Sequence, residues 1–331
     1  MTDSLAFLIF TFIVILMFEA LNGWTDAPNA IATVVSTRVM PPFVAVCMAA
    51  VLNLVGALSG TAVAATIGKG VIDIDSGISL QTVACGALGV VVWGSFCVYL
   101  KLPVSKSHGL LSALAGAAVQ EIGFDALIWD GWRKVFEGMA FSLFAGFIGA
   151  FLVMTAIIWI FHKAQPSGMR RNFGHLQIFS SAFMAWSHGT SDGQKAMGAM
   201  ALALTLYHGD SAKGFEVPLW VIALAATTMG TSTLMGGWRI IKTLGMGITQ
   251  LETYQGFAAE TAAATTLAVT AHFGIPVSTT HTIGSAIMGV GATRRLSAVR
   301  WGIAYNILTA WVVTFPACFA LGYFFSWIMP D

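Results

Sequence analysis

The sequence predicts an all-α polytopic membrane protein: an inverted-topology repeat with interrupted helices and two re-entrant helical hairpins. Three observations predict it. Charged residues are only 9% of the 331 residues, 16 Lys+Arg against 15 Asp+Glu, where soluble domains carry about 25%. Hydrophobic residues reach 57% and mean hydropathy is +0.80, too apolar a surface for water. Finally, several charge-free stretches match or exceed the roughly 20 residues a spanning helix needs, and their interruptions recur as matched pairs.

The elements follow in chain order. Residues 5–18 are apolar, then Glu19, Asn22, Gly23, Asp26, Pro28 and Asn29 interrupt before apolar 30–37. The start lacks a basic n-region and carries Asp3, so it reads as a first span rather than a signal peptide. Residues 39–68, between Arg38 and Lys69, make a crossing. Residues 76–119 are broken at Lys101-Leu102-Pro103, and proline disfavours helix at the residue before it, so this block reads as a hairpin. Residues 138–162 cross; 176–206 are interrupted by His188, Asp192 and Lys195; 217–238 cross. Residues 253–292 break at Gly274-Ile275-Pro276 as a second hairpin, and 301–330 form the last span.

Positive charge prefers the cytoplasmic side. With the basic loop Lys163, Arg170 and Arg171 inside, the mainly acidic segments 69–75 and 120–137 fall outside. Arg38, Arg239, Lys242, Arg294, Arg295 and Arg300 fall inside, and both termini are extracytoplasmic. That layout has six crossings and two hairpins. It divides into a first repeat, 1–162, a cytoplasmic linker, 163–175, and a second, inverted repeat, 176–331. Three crossings per half is an odd number, so the halves enter from opposite sides.

The repeat is visible in the letters. Gly23, Asp26 and Ala30 match Gly189, Asp192 and Ala196 at a constant offset of 166 residues. Pro103-Val104-Ser105-Lys106-Ser107-His108 matches Pro276-Val277-Ser278-Thr279-Thr280-His281 at an offset of 173, with Ser112 and Gly116 on Ser285 and Gly289. Inverted repeats with interrupted helices mark secondary transporters, whose sites lie near the midplane where the repeats meet.

Other classes are excluded. The near-neutral balance of +1 gives no nucleic-acid footprint. Cys47, Cys85, Cys97 and Cys318 have no metal-ligand spacing and sit in apolar runs, which argues against disulfides or zinc. No P-loop or H-E-x-x-H occurs, so the chain is not expected to be an enzyme and an ion gradient would drive it.

Asp26 and Asp192 are the sharpest signals, because an intramembrane carboxylate is costly and usually faces a cavity, a partner or an ion. Unwinding beside them would join backbone carbonyls, Asn29, Thr25 and Ser191 into an oxygen shell suited to Na⁺. Ser105, Ser107, Ser278, Thr279 and Thr280 stand at the start of the second half-helices. Free N–H groups and the positive dipole end favour an anion there, and two opposed N-termini can meet around one tetrahedral oxyanion. Plain N-capping is the alternative. His108 and His281 read as anion donors, proton carriers or packed rings. Lys195, three residues after Asp192, is an ion-pair partner or counter-charge to the anion. Lys106 adds charge near the anion or snorkels. Glu19 and Glu260 are further candidates for cation binding. No cofactor beyond a coupling ion, Na⁺ or H⁺, is expected. The bilayer is the implied partner, and small apolar faces allow a homodimer.

At these residues a resemblance appears. NGWTDAPNAIATVVSTR (22–38), SHGTSDGQKAMGAM (187–200), PVSKSH (103–108) and PVSTTH (276–281) resemble the paired signatures of the PiT family of inorganic phosphate transporters, over essentially the whole chain. The resemblance implies a cation-coupled phosphate symporter of the cell membrane. It places Asp26, Asn29 and Asp192 at cation and phosphate, and Ser105, Ser107, Ser278, Thr279 and Thr280 on phosphate. Ser191 and Gly193 depart from the family's usual Asn and Ala, and Lys106 from its usual Thr. Alternatives are a sulfate or metal-phosphate carrier of the same fold, an intramembrane Ser/His enzyme using the i, i+3 pairs Ser105/His108 and Ser278/His281, or a channel.

Overall fold

A computed structural model describes residues 4–100, 102–209, 215–236, 241, 248 and 250–329, except the side chains of residues 27, 28 and 166. Lys101, Arg239, Lys242 and Asp331, which the topology reading uses, lie outside the described residues. Among those described the chain is helical, with one isolated bridge between Ile72 and Leu127.

Helix α1 spans Leu5–Ser36, capped by Ser4, whose hydroxyl accepts from the Phe7 N–H. The interruption expected at 19–29 is absent, because α1 stays helical through Asp26. Lys106 meets the Asp26 carboxylate, and the Thr25 hydroxyl bonds back to the Leu21 carbonyl at 2.6 Å. With both polar groups satisfied, the backbone need not unwind to satisfy them.

The single crossing expected over 39–68 is two helices, α2 (Pro42–Ala57) and α3 (Ala62–Lys69), bent by 67°. The break falls at Ser59-Gly60-Thr61, and the Val63 N–H, one of the orphan donors of α3, is satisfied by Gln194 Oε1 at 2.8 Å. The first hairpin is α4 (Leu80–Tyr99) and α5 (Lys106–Ile122), which pack on each other.

Helix α6 (Trp129–Ile160) starts earlier than expected. Arg133 and Glu137, read as loop, form an exposed i, i+4 pair on its first turns at 2.8 Å. Helix α7 (Pro166–His188) begins within the segment read as linker, since proline suits a first helical position. It continues through one π-helical turn, Gly189–Gly193, into α8 (Gln194–His208). The second interruption is thus a widened turn rather than a break. Helix α9 (Leu219–Thr233) is followed by the second hairpin, α10 (Thr253–His272) and α11 (Thr279–Arg294), and by α12 (Trp301–Ile328).

By length and composition α1, α4, α6 and α12 can each cross a membrane, and α2–α3 if the bent pair is one span. Among the described residues the other helices fall short of that measure, and α7 and α8 carry buried polar residues, among them Gln177, Ser180, His188 and Lys195. Outer faces carry exposed Phe144, Trp159, Val312 and Trp327.

Every residue of α5 from Lys106 to Ala118, and of α11 from Thr279 to Gly291, is buried. Helix α5 packs on α12, and α11 on α6. Both contacts run backbone to backbone. A Cβ on Gly116 would lie 2.0 Å from the Phe319 carbonyl oxygen, and one on Gly289 2.1 Å from that of Phe147.

The outer ends of the hairpins lie at opposite ends of the molecule. Gln81 of α4 donates to the Ser326 and Met329 carbonyls, and Gln120 of α5 accepts from Ser326 Oγ. Asp73 N–H bonds Ala126 at that same end. At the other end, Thr253 donates to the Arg170 carbonyl and Arg294 reaches Tyr254. The break of the first hairpin stops partway along α12, where Trp311 Nε1 donates to the Pro103 carbonyl at 3.0 Å.

Candidate functional site: a buried polar cluster between the two hairpins

The four motifs converge on one buried cluster. Asp26 on α1 receives Lys106 from the first turn of α5. Asp192, in the π turn, holds Lys195 at 2.5 Å and accepts from the Thr279 hydroxyl at 3.2 Å. Asn29 Nδ2 donates to Thr279 Oγ1 at 3.1 Å and to Thr280 Oγ1 at 3.0 Å. Lys195 also donates to Ser107 Oγ and to the Val277 carbonyl. These residues are 4% exposed or less.

The contacts come in equivalent pairs. Under the two sequence offsets Asp26–Lys106 becomes Asp192–Thr279, and Asn29–Thr280 becomes Lys195–Ser107. His108 and His281 are also equivalent, and their rings meet at 4.9 Å. Each aspartate is therefore served by the hairpin of its own half, while Asn29 and Lys195 each reach the hairpin of the other.

Ser105 and Ser278 are N-caps, accepting from the His108 and His281 N–H groups at 3.3 and 3.2 Å. Capping uses a lone pair and leaves the O–H free to donate. Among the described residues the Ser191 hydroxyl, buried, has no hydrogen-bond partner, and neither has Asn29 Oδ1. Thr25 is spent on the helix backbone.

The histidines are packed rings: His281 stacks on Trp311 at 3.9 Å and His108 on Phe315 at 5.0 Å. Their nitrogens have no hydrogen-bond partner among the described residues.

Glu260 does not join the aspartates. It accepts from Thr33 and Ser180 in a separate buried patch between α10, α1 and α7. Glu19 is fully buried, with neither carboxylate oxygen hydrogen-bonded among the described residues, and lies within electrostatic reach of Asp192, Lys195 and Asp26.

Sequence reasoning missed His188 as a site residue. Its Nε2 lies 3.5 Å from Asp192 Oδ2, while Nδ1 pairs with Asn53 at 3.0 Å. The i, i+4 spacing to Asp192 was the available signal. Asp26, His188 and Asp192 each offer a ligand atom within 4.8 Å of the others, close enough to share one cation. Beside the π turn an open cleft of about 270 Å³ reaches Thr190 and Gln194.

Chemically, the cluster sets two carboxylates against two ammonium groups and surrounds them with hydroxyls at two helix N-termini. Such a site favours a multi-oxygen anion.

Comparison with known proteins agrees. The sequence profile of the Phosphate transporter family matches residues 22–322. The chain is 42% identical over 305 residues to a Rhizobium meliloti protein named "Probable low-affinity inorganic phosphate transporter", covering 92% of this chain and 91% of that one. A Bacillus subtilis protein of the same name is 37% identical over 310 residues, covering 93% and 92%. A solved structure named "The sodium-dependent phosphate transporter" superposes with a TM-score of 0.90 at 22% identity, over 99% of both chains. These relatives are transporters rather than enzymes, and the apolar helices agree with a multi-pass membrane protein. The chain belongs to the Phosphate transporter family.

Proposed function

We propose that this chain is a secondary symporter that carries inorganic phosphate into the cell with a cation gradient, Na⁺ or H⁺. The observation that carries the proposal is the convergence of both aspartate motifs and both hairpin N-termini in one buried cluster. The oxyanion lies between the first turns of α5 and α11. Ser105, Ser107, Ser278, Thr279 and Thr280 donate hydroxyls to it, and Lys106 and Lys195 supply positive charge. Asp26 and Asp192, with Asn29 and Ser191 near, meet the coupling cation, and Glu260 is a separate candidate. The superposed structure is that of a transporter named as sodium-dependent, which supports the Na⁺ arm.

The two halves, 1–162 and 176–331 about a cytoplasmic linker at 163–175, form an inverted repeat. Paired contacts and hairpins entered from opposite ends support this. The hairpins are re-entrant, consistent with Pro103 lying level with Trp311, well inside α12. Both termini are extracytoplasmic, as is the end holding 71–73, 126–128 and the close of α12. Alternating access exchanges which hairpin shields the site. A homodimer in the cell membrane is part of the proposal.

The test is uptake of labelled phosphate into proteoliposomes under an inward Na⁺ gradient, an inward H⁺ gradient, or none. Accumulation above equilibrium under either gradient supports symport. Equilibration without accumulation defeats it, and sulfate accumulation in place of phosphate changes the substrate.

A further inference from the structure

At two of the positions where the halves differ, the change adds an ammonium group to the cluster. Lys106 stands where the second half has Thr279, and Lys195 stands where the first half has Asn29. The two lysines serve different carboxylates. Lys195 holds Asp192 and Lys106 holds Asp26. In the second half the hairpin offers its aspartate only the Thr279 hydroxyl. In the first half the same hairpin position delivers a full positive charge.

The Lys106–Asp26 pair is closed off from solvent, with side chains 2% and 6% exposed. Lys106 is therefore not snorkelling to an interface. A carboxylate this buried needs a positive partner, because an uncompensated charge in the interior is strongly destabilising. With threonine at position 106 that partner would be a monovalent cation drawn from solution. With lysine it is tethered to the hairpin.

We infer that Lys106 is a built-in counter-cation: its ammonium group takes the place of a bound alkali ion at Asp26, so this carboxylate calls for no Na⁺. The inference rests on the phosphate-symport reading for its role in transport. It narrows that reading at Asp26: any Na⁺ that couples acts at another carboxylate, and among the described residues Glu19 and Glu260 are buried carboxylates that no lysine holds. The ammonium has two further N–H donors, so it can face the oxyanion while holding Asp26.

The test uses the full-length purified protein, first without phosphate. Thermal unfolding is followed in NaCl and in choline chloride at equal ionic strength, for wild type, Lys106→Thr and the double variant Asp26→Asn/Lys106→Gln. Lys106→Thr is expected to gain a Na⁺-specific upward shift in Tm relative to wild type, growing with the logarithm of Na⁺ concentration. The double variant, with no charge to balance, is expected to show no gain. In proteoliposomes Lys106→Thr should lose uptake in choline and recover it in Na⁺ more strongly than wild type does.

A Lys106→Thr protein whose Na⁺ response equals that of wild type overturns the inference. So does a Lys106→Thr protein that fails to fold even in Na⁺, since Na⁺ is to replace the ammonium group. A double variant that gains the same shift also overturns it. Because the Tm readout contains no phosphate, a wild type that never transports phosphate defeats the functional reading and leaves this result standing or falling separately.

Discussion

At the scale of single residues, the buried charges govern what the site tolerates. Asp26→Asn or Asp192→Asn leaves a lysine without its carboxylate, and breaking a buried pair costs about 3–5 kcal/mol. Each variant is expected to lower cation-driven phosphate uptake by ~100-fold or more while size-exclusion profiles stay monodisperse; uptake near normal in either one refutes its place in the site. The packed histidines predict a different outcome. His281→Phe keeps the stack on Trp311 and is expected to retain most uptake with an unchanged pH profile; complete loss would make the ring a proton carrier. The aspartates and the hydroxyl pairs Ser105/Ser278 and Ser107/Thr280 were legible in the sequence because the duplication marks them twice, and Asn29 was legible because it follows Asp26 in the same polar interruption. The Lys106–Asp26 contact was not, because which side chain reaches across 80 positions is a matter of packing. His188 was passed over because it has no counterpart in the first motif: the offset places Asn22 there.

At the scale of helices, the breaks show how far composition alone reaches. Both hairpins were legible because proline stops helix at a fixed place. The bend between α2 and α3 was not, since Ser59-Gly60-Thr61 carries no charge and so lies unmarked inside one charge-free run. It depends on Gln194, far along the chain, meeting the Val63 N–H. Nor was the continuity of α1 legible, since it requires a partner for Asp26. The glycine contacts lead to a prediction here. Gly116→Ala and Gly289→Ala each drive a methyl group into a carbonyl of the neighbouring helix, at a cost of about 1–3 kcal/mol from overpacking. Thermal unfolding in detergent should show a lower Tm for both. An unchanged Tm would mean that α5 and α12, or α11 and α6, separate more easily than their packing implies.

For the whole molecule, topology is the outstanding prediction. Phe124, exposed at 61%, lies at the end shared by both hairpin-one termini, and Ser167 lies at the opposite end, near Arg170. In a Cys47→Ala background, a membrane-impermeant maleimide should label Phe124→Cys on intact cells and Ser167→Cys only after permeabilisation. The reverse pattern inverts the assignment of sides. The remaining cysteines are buried and contribute little background.

The pairing of contacts across the two halves also bears on energetics. If the halves were chemically identical, exchanging their conformations would turn the outward-open form into a mirror of the inward-open form, and both would rest at equal free energy. Lys106 opposite Thr279, and Lys195 opposite Asn29, lift that degeneracy. Under the proposed alternating-access reading, the resting poise of the carrier and the difference between its influx and efflux rate laws would be set at positions such as these, where the two halves do not match.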